Sequence, residues 1–152
     1  MLLHDCKKAL NLISTKFLRL RTSCLNFAHA TPSEVLPKSI GKLKHLRYLK
    51  IMLFHLLFLP NSVTKLHNLE TLILDGCKCL QELRREAKNW MKLRYLSLAR
   101  NREIKFLPDS IAALHNLKTL ILQNCSLFRE LRKDIKKCVN LKHLDLHGCR
   151  TR

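Results

Sequence analysis

The sequence predicts an α/β solenoid: a curved sheet of parallel strands on a concave side, with short helices or 3₁₀ turns on a convex side. Three observations predict it. A period of about two dozen residues, in the range of known repeat units, runs through most of the chain. Apolar residues fall in fixed columns of that period. Two of these columns lie two residues apart, the spacing at which side chains share one face of a strand.

Leu36-Pro37, Leu59-Pro60 and Leu107-Pro108 open three segments, and Leu83-Arg84 and Leu131-Arg132 open two more. The interval from Leu36 to Leu59 is one position shorter than the other three, which are equal. Four residues on from each leucine stand Ile40, Val63, Ala87, Ile111 and Ile135, and seven on stand Leu43, Leu66, Trp90, Leu114 and Cys138. Three nearly pure leucine columns follow: Leu46 to Leu141, Leu49 to Leu144, and Ile51 with Leu74, Leu98, Leu122 and Leu146. After them come Phe54, Cys77, Asn101, Cys125 and Cys149, then Leu57, Leu80, Ile104 and Phe128. The pattern L-x-x-L-x-L-x-x-N/C-x-x-L is close to the leucine-rich-repeat signature.

Strands are predicted near 48–52, 71–75, 95–99, 119–123 and 143–147. Strands recurring once per period, each followed by a return segment, must stack in parallel. No repeat buries its apolar side alone; its neighbours cover it. The Asn/Cys column falls where the chain leaves the strand. There an Asn amide satisfies buried backbone groups, and a Cys fills the same place as a small, weak donor. Cys77, Cys125, Cys138 and Cys149 are therefore expected to be buried and free. A Cys77–Cys79 bridge is not expected. The return segments LPKSIGKLKH, LPNSVTKLHN and LPDSIAALHN place Pro at the start of a short helical turn, with Ser39, Ser62 and Ser110 suited to capping it.

Ahead of Leu36 the pattern degrades. Phe17, Leu18 and Leu20 suggest one further strand, and the apolar residues of 1–15 suggest a covering helix. The expected organisation is a degraded repeat or cap over 1–35 and a solenoid of about five repeats over 36–152. That solenoid stops three residues after Cys149 without a polar capping repeat, and so reads as cut short.

Composition narrows the function. With 47% apolar residues in 152, three glycines and four prolines, the chain is neither disordered nor a linker. Lys50 and His55 interrupt the longest apolar run, so no membrane span is expected. MLLHDCKKALNL lacks a basic stretch ahead of an apolar one, so no secretion signal is read. Seven cysteines without a disulfide-framework spacing point to reduced thiols and a cytoplasmic setting. No metal-ligand spacing is present beyond the lone C-x-C, and no cofactor is expected. Gly41, Gly76 and Gly148 are the only glycines, so no phosphate-cradling P-loop can be written. The serine column sits on turns and the eight histidines form no H-E-x-x-H pair, so no enzyme activity is expected.

The units LPKSIGKLKHLRYLKI, LPNSVTKLHNLETLILDGCKCLQEL and LPDSIAALHNLKTLILQNCSLFREL resemble the repeats of plant intracellular nucleotide-binding leucine-rich-repeat disease-resistance proteins, nearest to the coiled-coil subclass. The resemblance covers 36–149 well and 12–35 loosely. The G-x-I-P unit of extracellular plant repeats is missing. The resemblance implies a recognition and autoinhibition segment in plant defence. Its partners would be a pathogen-derived or host protein, or the nucleotide-binding domain of a parent receptor.

Alternation along the strands predicts which side chains face out on the concave side. Candidates for partner binding are Arg47, Tyr48, Lys50, Ile73, Arg94, Tyr95, Ile121 and His143, since Tyr and Arg are favoured at binding hot spots. The net charge of +18 raises an alternative, a basic solenoid that binds nucleic acid. Against it, Trp90 falls in a core column and no row of stacking aromatics is evident. Basic residues such as Lys38, Lys42, Lys88, Lys133 and Lys136 gather on the return segments, as a solvated face or a contact to an acidic protein.

Overall fold

The computed structural model describes residues 24–28, 36, 38–52, 55–83 and 85–150. Among these residues six strands form one sheet in chain order: β1 (Cys24–Ala28), β2 (Tyr48–Met52), β3 (Thr71–Ile73), β4 (Tyr95–Ser97), β5 (Thr119–Ile121) and β6 (His143–Asp145). Every adjacent pair is parallel. Between strands the chain returns through 3₁₀ turns at Lys38–Lys42, Val63–Lys65, Arg85–Asn89, Asp109–Ala113 and Lys133–Lys137. These turns are short, and in so few residues 3₁₀ geometry competes with the α-helix. Among the described residues no helix is long and apolar enough to cross a membrane.

Register follows the leucine columns. Leu49, Leu72, Leu96, Leu120 and Leu144 are aligned partners across β2 to β6. The first four are fully buried, as are Leu46, Leu69, Leu93 and Leu117. Trp90 takes a leucine place in the core, where its indole N–H donates to the Val63 carbonyl at 3.1 Å. On the far side of β6 no described residue packs, so Leu141 and Leu146 are half-buried and Leu144 is 37% exposed.

The strands β3 to β6 are two residues shorter than predicted. Beyond them the parallel pairing continues one-sidedly: Leu98 N–H donates to Ile121 O at 2.8 Å, and Arg100 N–H to Gln123 O at 2.7 Å. The chain is already turning out of the sheet there. That turn is made at one column, Gly76 (φ 69°), Arg100 (φ 61°), Asn124 (φ 59°) and Gly148 (φ 72°), all in the left-handed region. Two glycines three periods apart mark this column in the sequence.

The structure adds one strand to the five predicted, and two further expectations are corrected. β1 lies at Cys24–Ala28, with Leu25 aligned to Leu49 and Phe27 to Ile51, each one full period apart. The alignment is hard to see in sequence because Thr22 stands in the leucine column of Leu46. Phe17, Leu18 and Leu20, and the helix expected over 1–15, lie outside the described residues. In the short repeat that opens at Leu36, Leu56 packs on the core while Leu57, placed there by counting forward, is 50% exposed. Gln81 N–H bonds Leu57 O at 3.2 Å and Arg129 N–H bonds Lys105 O at 3.1 Å, so Leu57 is the equivalent of Gln81 and the missing residue lies before Leu56. Finally, Ser62 and Ser110 do not cap. Each 3₁₀ turn already starts one step earlier, with Val63 N–H on Pro60 O and Ile111 N–H on Pro108 O, and both serine hydroxyls are buried without a partner among the described residues.

The Asn/Cys column behaves as expected at four positions. Asn101 donates to Leu74 O at 2.8 Å and Leu98 O at 2.7 Å, joining two repeats. The thiols of Cys77, Cys125 and Cys149 point at the carbonyls of Ile51, Leu98 and Leu122. Cys77, Cys79, Cys125, Cys138 and Cys149 are free; Cys149 is half-buried rather than buried, because it lies in the last repeat. A second stitch was not read from the sequence. Asn68, Asn116 and Asn140, one per repeat in LHNL-type segments, donate to the carbonyls of Lys44, Met91 and His115, each at 2.7 Å.

Candidate recognition surface on the sheet face

The eight predicted residues fall on one face, in rows fixed by strand register. Arg47 and Arg94 precede β2 and β4, in a row with Glu70, Lys118 and Lys142. Their carbonyls start the ladder: Arg94 O accepts both Lys118 N–H at 2.8 Å and Thr119 N–H at 3.0 Å. This fixes the spacing of the side chains at about 4.8 Å from strand to strand. The next row is Tyr48, Thr71, Tyr95, Thr119 and His143, and the one after is Lys50, Ile73, Ser97, Ile121 and Asp145. Tyr48, Lys50, Ile73, Tyr95 and Ile121 are half-exposed, and Arg47, Arg94 and His143 are exposed.

Two outward positions are not open. Ser97 is 2% exposed and Ala99 5%. Ser97 is short and stands between Ile73 and Ile121, its aligned neighbours. Its hydroxyl donates to Asp75 Oδ1, which also accepts the Ala99 N–H at 3.1 Å, so the Asp75 side chain closes over both. The two isoleucines therefore flank a covered, small residue.

The charge on this face is one-sided. Its acidic groups are engaged: Glu70 with Arg47 at 3.7 Å, Asp75 as above, and Asp145 Oδ1 with the His147 N–H at 2.8 Å. Among the described residues no carboxylate bridges Arg94, Lys118 or Lys142. The return side carries ion pairs of its own, Arg132 with Asp109 and Lys137 with Asp134. Lys38, Lys42, Lys88, Lys133 and Lys136 there are exposed. Among the described residues no group of three His, Cys, Asp or Glu side chains is placed to hold a metal ion.

No curated protein matches the chain. The leucine rich repeat family matches residues 67–127. Solved structures match over more of it. The plant peptide hormone receptor RGFR1 in complex with RGF2 shares 26% identity at a TM-score of 0.65, over 89% of this chain and 22% of that one. The leucine-rich repeat domain of the type III effector XopL shares 29% identity at a TM-score of 0.56, over 62% of this chain and 34% of that one. A leucine-rich-repeat protein of Leptospira interrogans has the same fold, with a TM-score of 0.51 at 19% identity, over 99% of this chain and 59% of that one. The chain thus spans less than two thirds of each. With a matching repeat family, six parallel strands and 3₁₀ returns, this chain is a leucine-rich-repeat segment folded as a parallel-sheet solenoid.

Proposed function

We propose that the sheet face recognises an acidic protein ligand, and that the chain does so within an intracellular plant immune receptor. The observation that carries the recognition reading is the strip of half-exposed Tyr48, Ile73, Tyr95 and Ile121 beside the row Arg94, Lys118 and Lys142, which no described carboxylate neutralises. Apolar and aromatic groups in the middle supply contact area, and the cations orient a partner of opposite charge. A leucine-rich-repeat fold supports protein partners, and one similar structure is a receptor with its bound ligand. The immune setting is supported by the resemblance of the repeat units over 36–149 to those of plant disease-resistance proteins. In that setting the ligand is a pathogen-derived or host protein, or a nucleotide-binding domain held inactive. Thiols serving as core hydrogen-bond donors support a cytosolic location.

The test is selection of displayed peptides of graded acidity, with a nucleotide-binding domain from the coiled-coil subclass as a further bait. Acidic baits with an apolar anchor should bind. Tyr95→Ala with Ile121→Ala should weaken binding about tenfold or more, and Lys88→Glu with Lys136→Glu should leave it intact. Loss with the return-side pair and none with the sheet pair would refute the assignment. Tighter, steeply salt-dependent binding of generic DNA or RNA would favour the nucleic-acid alternative.

A further inference from the structure

The column at which the repeats turn out of the sheet carries charge as well as conformation. Two residues beyond Gly76, Arg100, Asn124 and Gly148 come Lys78, Arg102, Ser126 and Arg150, cations in three repeats of four. Lys78, Arg100, Arg102, Asn124, Ser126 and Gly148 line a cleft of about 480 Å³ on this edge of the solenoid. That volume is within the range of small-molecule sites, about 300–1,000 Å³. Among the described residues no carboxylate lines it, and neither Arg100 nor Arg102 forms an ion pair. Three like charges therefore converge on one hollow, together with a hydroxyl and an amide.

The backbone at Arg100 is a separate observation. Two other repeats use glycine there and one uses asparagine, the residues that tolerate left-handed geometry. Arginine tolerates it least of the three residue types. Strain of this kind persists where the position has a use for the side chain, and here the side chain lines the cleft.

We infer that this cleft binds the phosphate of a phosphomonoester. A tetrahedral dianion offers three terminal oxygens to the two guanidinium forks, the ammonium and the Ser126 hydroxyl. A carboxylate offers two oxygens and one charge. The cleft also has room for more than the anion. Ser126 is shared with a neighbouring cleft of about 660 Å³, lined by the 42% exposed Leu127, by Phe106 under the Arg129 and Arg132 guanidiniums, by Arg150 and by Glu130. The phosphate sits among Lys78, Arg100 and Arg102, and its apolar carrier lies toward Leu127. The site is built from different residues than the sheet-face strip and stands or falls separately from it.

The full chain, ¹⁵N-labelled, is titrated with phenyl phosphate, inorganic phosphate and a phosphotyrosine peptide, and binding is followed by NMR. Amide shifts should concentrate at 100–102, 124–126 and 148. Arg100→Gly and Arg102→Gln should each weaken phenyl phosphate about tenfold or more, as loss of a charged hydrogen bond does, while Lys136→Gln changes it less than twofold. Glycine suits the backbone at position 100, so the first variant stays folded, and unchanged Trp90 fluorescence verifies it. Phenyl phosphate should bind more tightly than inorganic phosphate. Equal affinity would overturn the ester and leave free phosphate as the ligand. A peptide tighter than phenyl phosphate identifies a phosphoprotein as the source, and one no tighter identifies a small ester; both support the site. Shifts scattered over the return-segment lysines, or affinity unchanged in both arginine variants, would overturn it.

Discussion

Replacing Gly76 by alanine isolates the cost of the left-handed corner. Gly76 has φ 69°, and a Cβ built on it meets nothing within 4 Å. The substitution therefore adds no clash and changes only backbone preference. A left-handed L-residue costs about 1–2 kcal/mol, and the stiffer unfolded chain returns about 0.4–1 kcal/mol. A net loss of about 1 kcal/mol follows, or about 2–4 °C in melting temperature for a chain of this size. Arg100 sits in the same column at φ 61°, so Arg100→Gly is the reverse experiment, with a gain of about the same size. Gly148→Ala should cost about as much as Gly76→Ala: its Cβ would fall 2.1 Å from Asn124 Oδ1, the end of a side chain that can turn away. Urea unfolding followed by fluorescence of Trp90, the single tryptophan and fully buried, measures all three. The corner is misread if Gly76→Ala is neutral, or if Arg100→Gly destabilises as much as Gly76→Ala.

Other substitutions probe the core and its thiols. Leu96 is fully buried in the fourth of six strands, so Leu96→Ala should cost about 2–5 kcal/mol in the same urea assay. Ser97→Ala should cost about 0.5–1.5 kcal/mol, more than an exposed site would, because it removes the bond to Asp75 at a 2% exposed position. Burial pushes the Cys125 thiol up to about 12. The folded state holds this proton more tightly than the unfolded one, so the stabilisation is complete below pH 9 and is lost as pH rises from about 9 toward 12. Urea midpoints measured from pH 8 to 11 should therefore fall in the wild type and fall less in Cys125→Ala. At pH 8 a thiol reagent should label half-buried Cys79 well before Cys125.

The fold and the face of the candidate surface were legible in the sequence because both follow from periodicity. Leucines two apart, repeated once per period, leave one way to bury them: parallel strands stacked in register. That arithmetic placed five strands and all eight surface residues on one side. It misplaced Leu57 and Leu56, since counting from one end cannot locate a missing residue, whereas the Gln81–Leu57 hydrogen bond does. It left the repeat ahead of Leu36 unaligned, where Thr22 interrupts a leucine column and only pairing with β2 restores the register.

What only the tertiary structure decided depends on neighbours in adjacent repeats. Alternation says that Ser97 points outward, and it does. Its burial comes from Ile73, Ile121 and Asp75 in the flanking repeats, which no pattern within one repeat contains. The serines of the return segments read as caps until the proline carbonyls are seen to start each turn first. The cleft of Lys78, Arg100, Arg102 and Ser126 draws on three successive repeats, and its sequence trace is only a column of turn residues at the left-handed corner. A repeat sequence determines the position of each side chain within its own repeat. Exposure, pairing and the convergence of charge are set between repeats, by side chains a full period apart that stacking brings within one strand spacing.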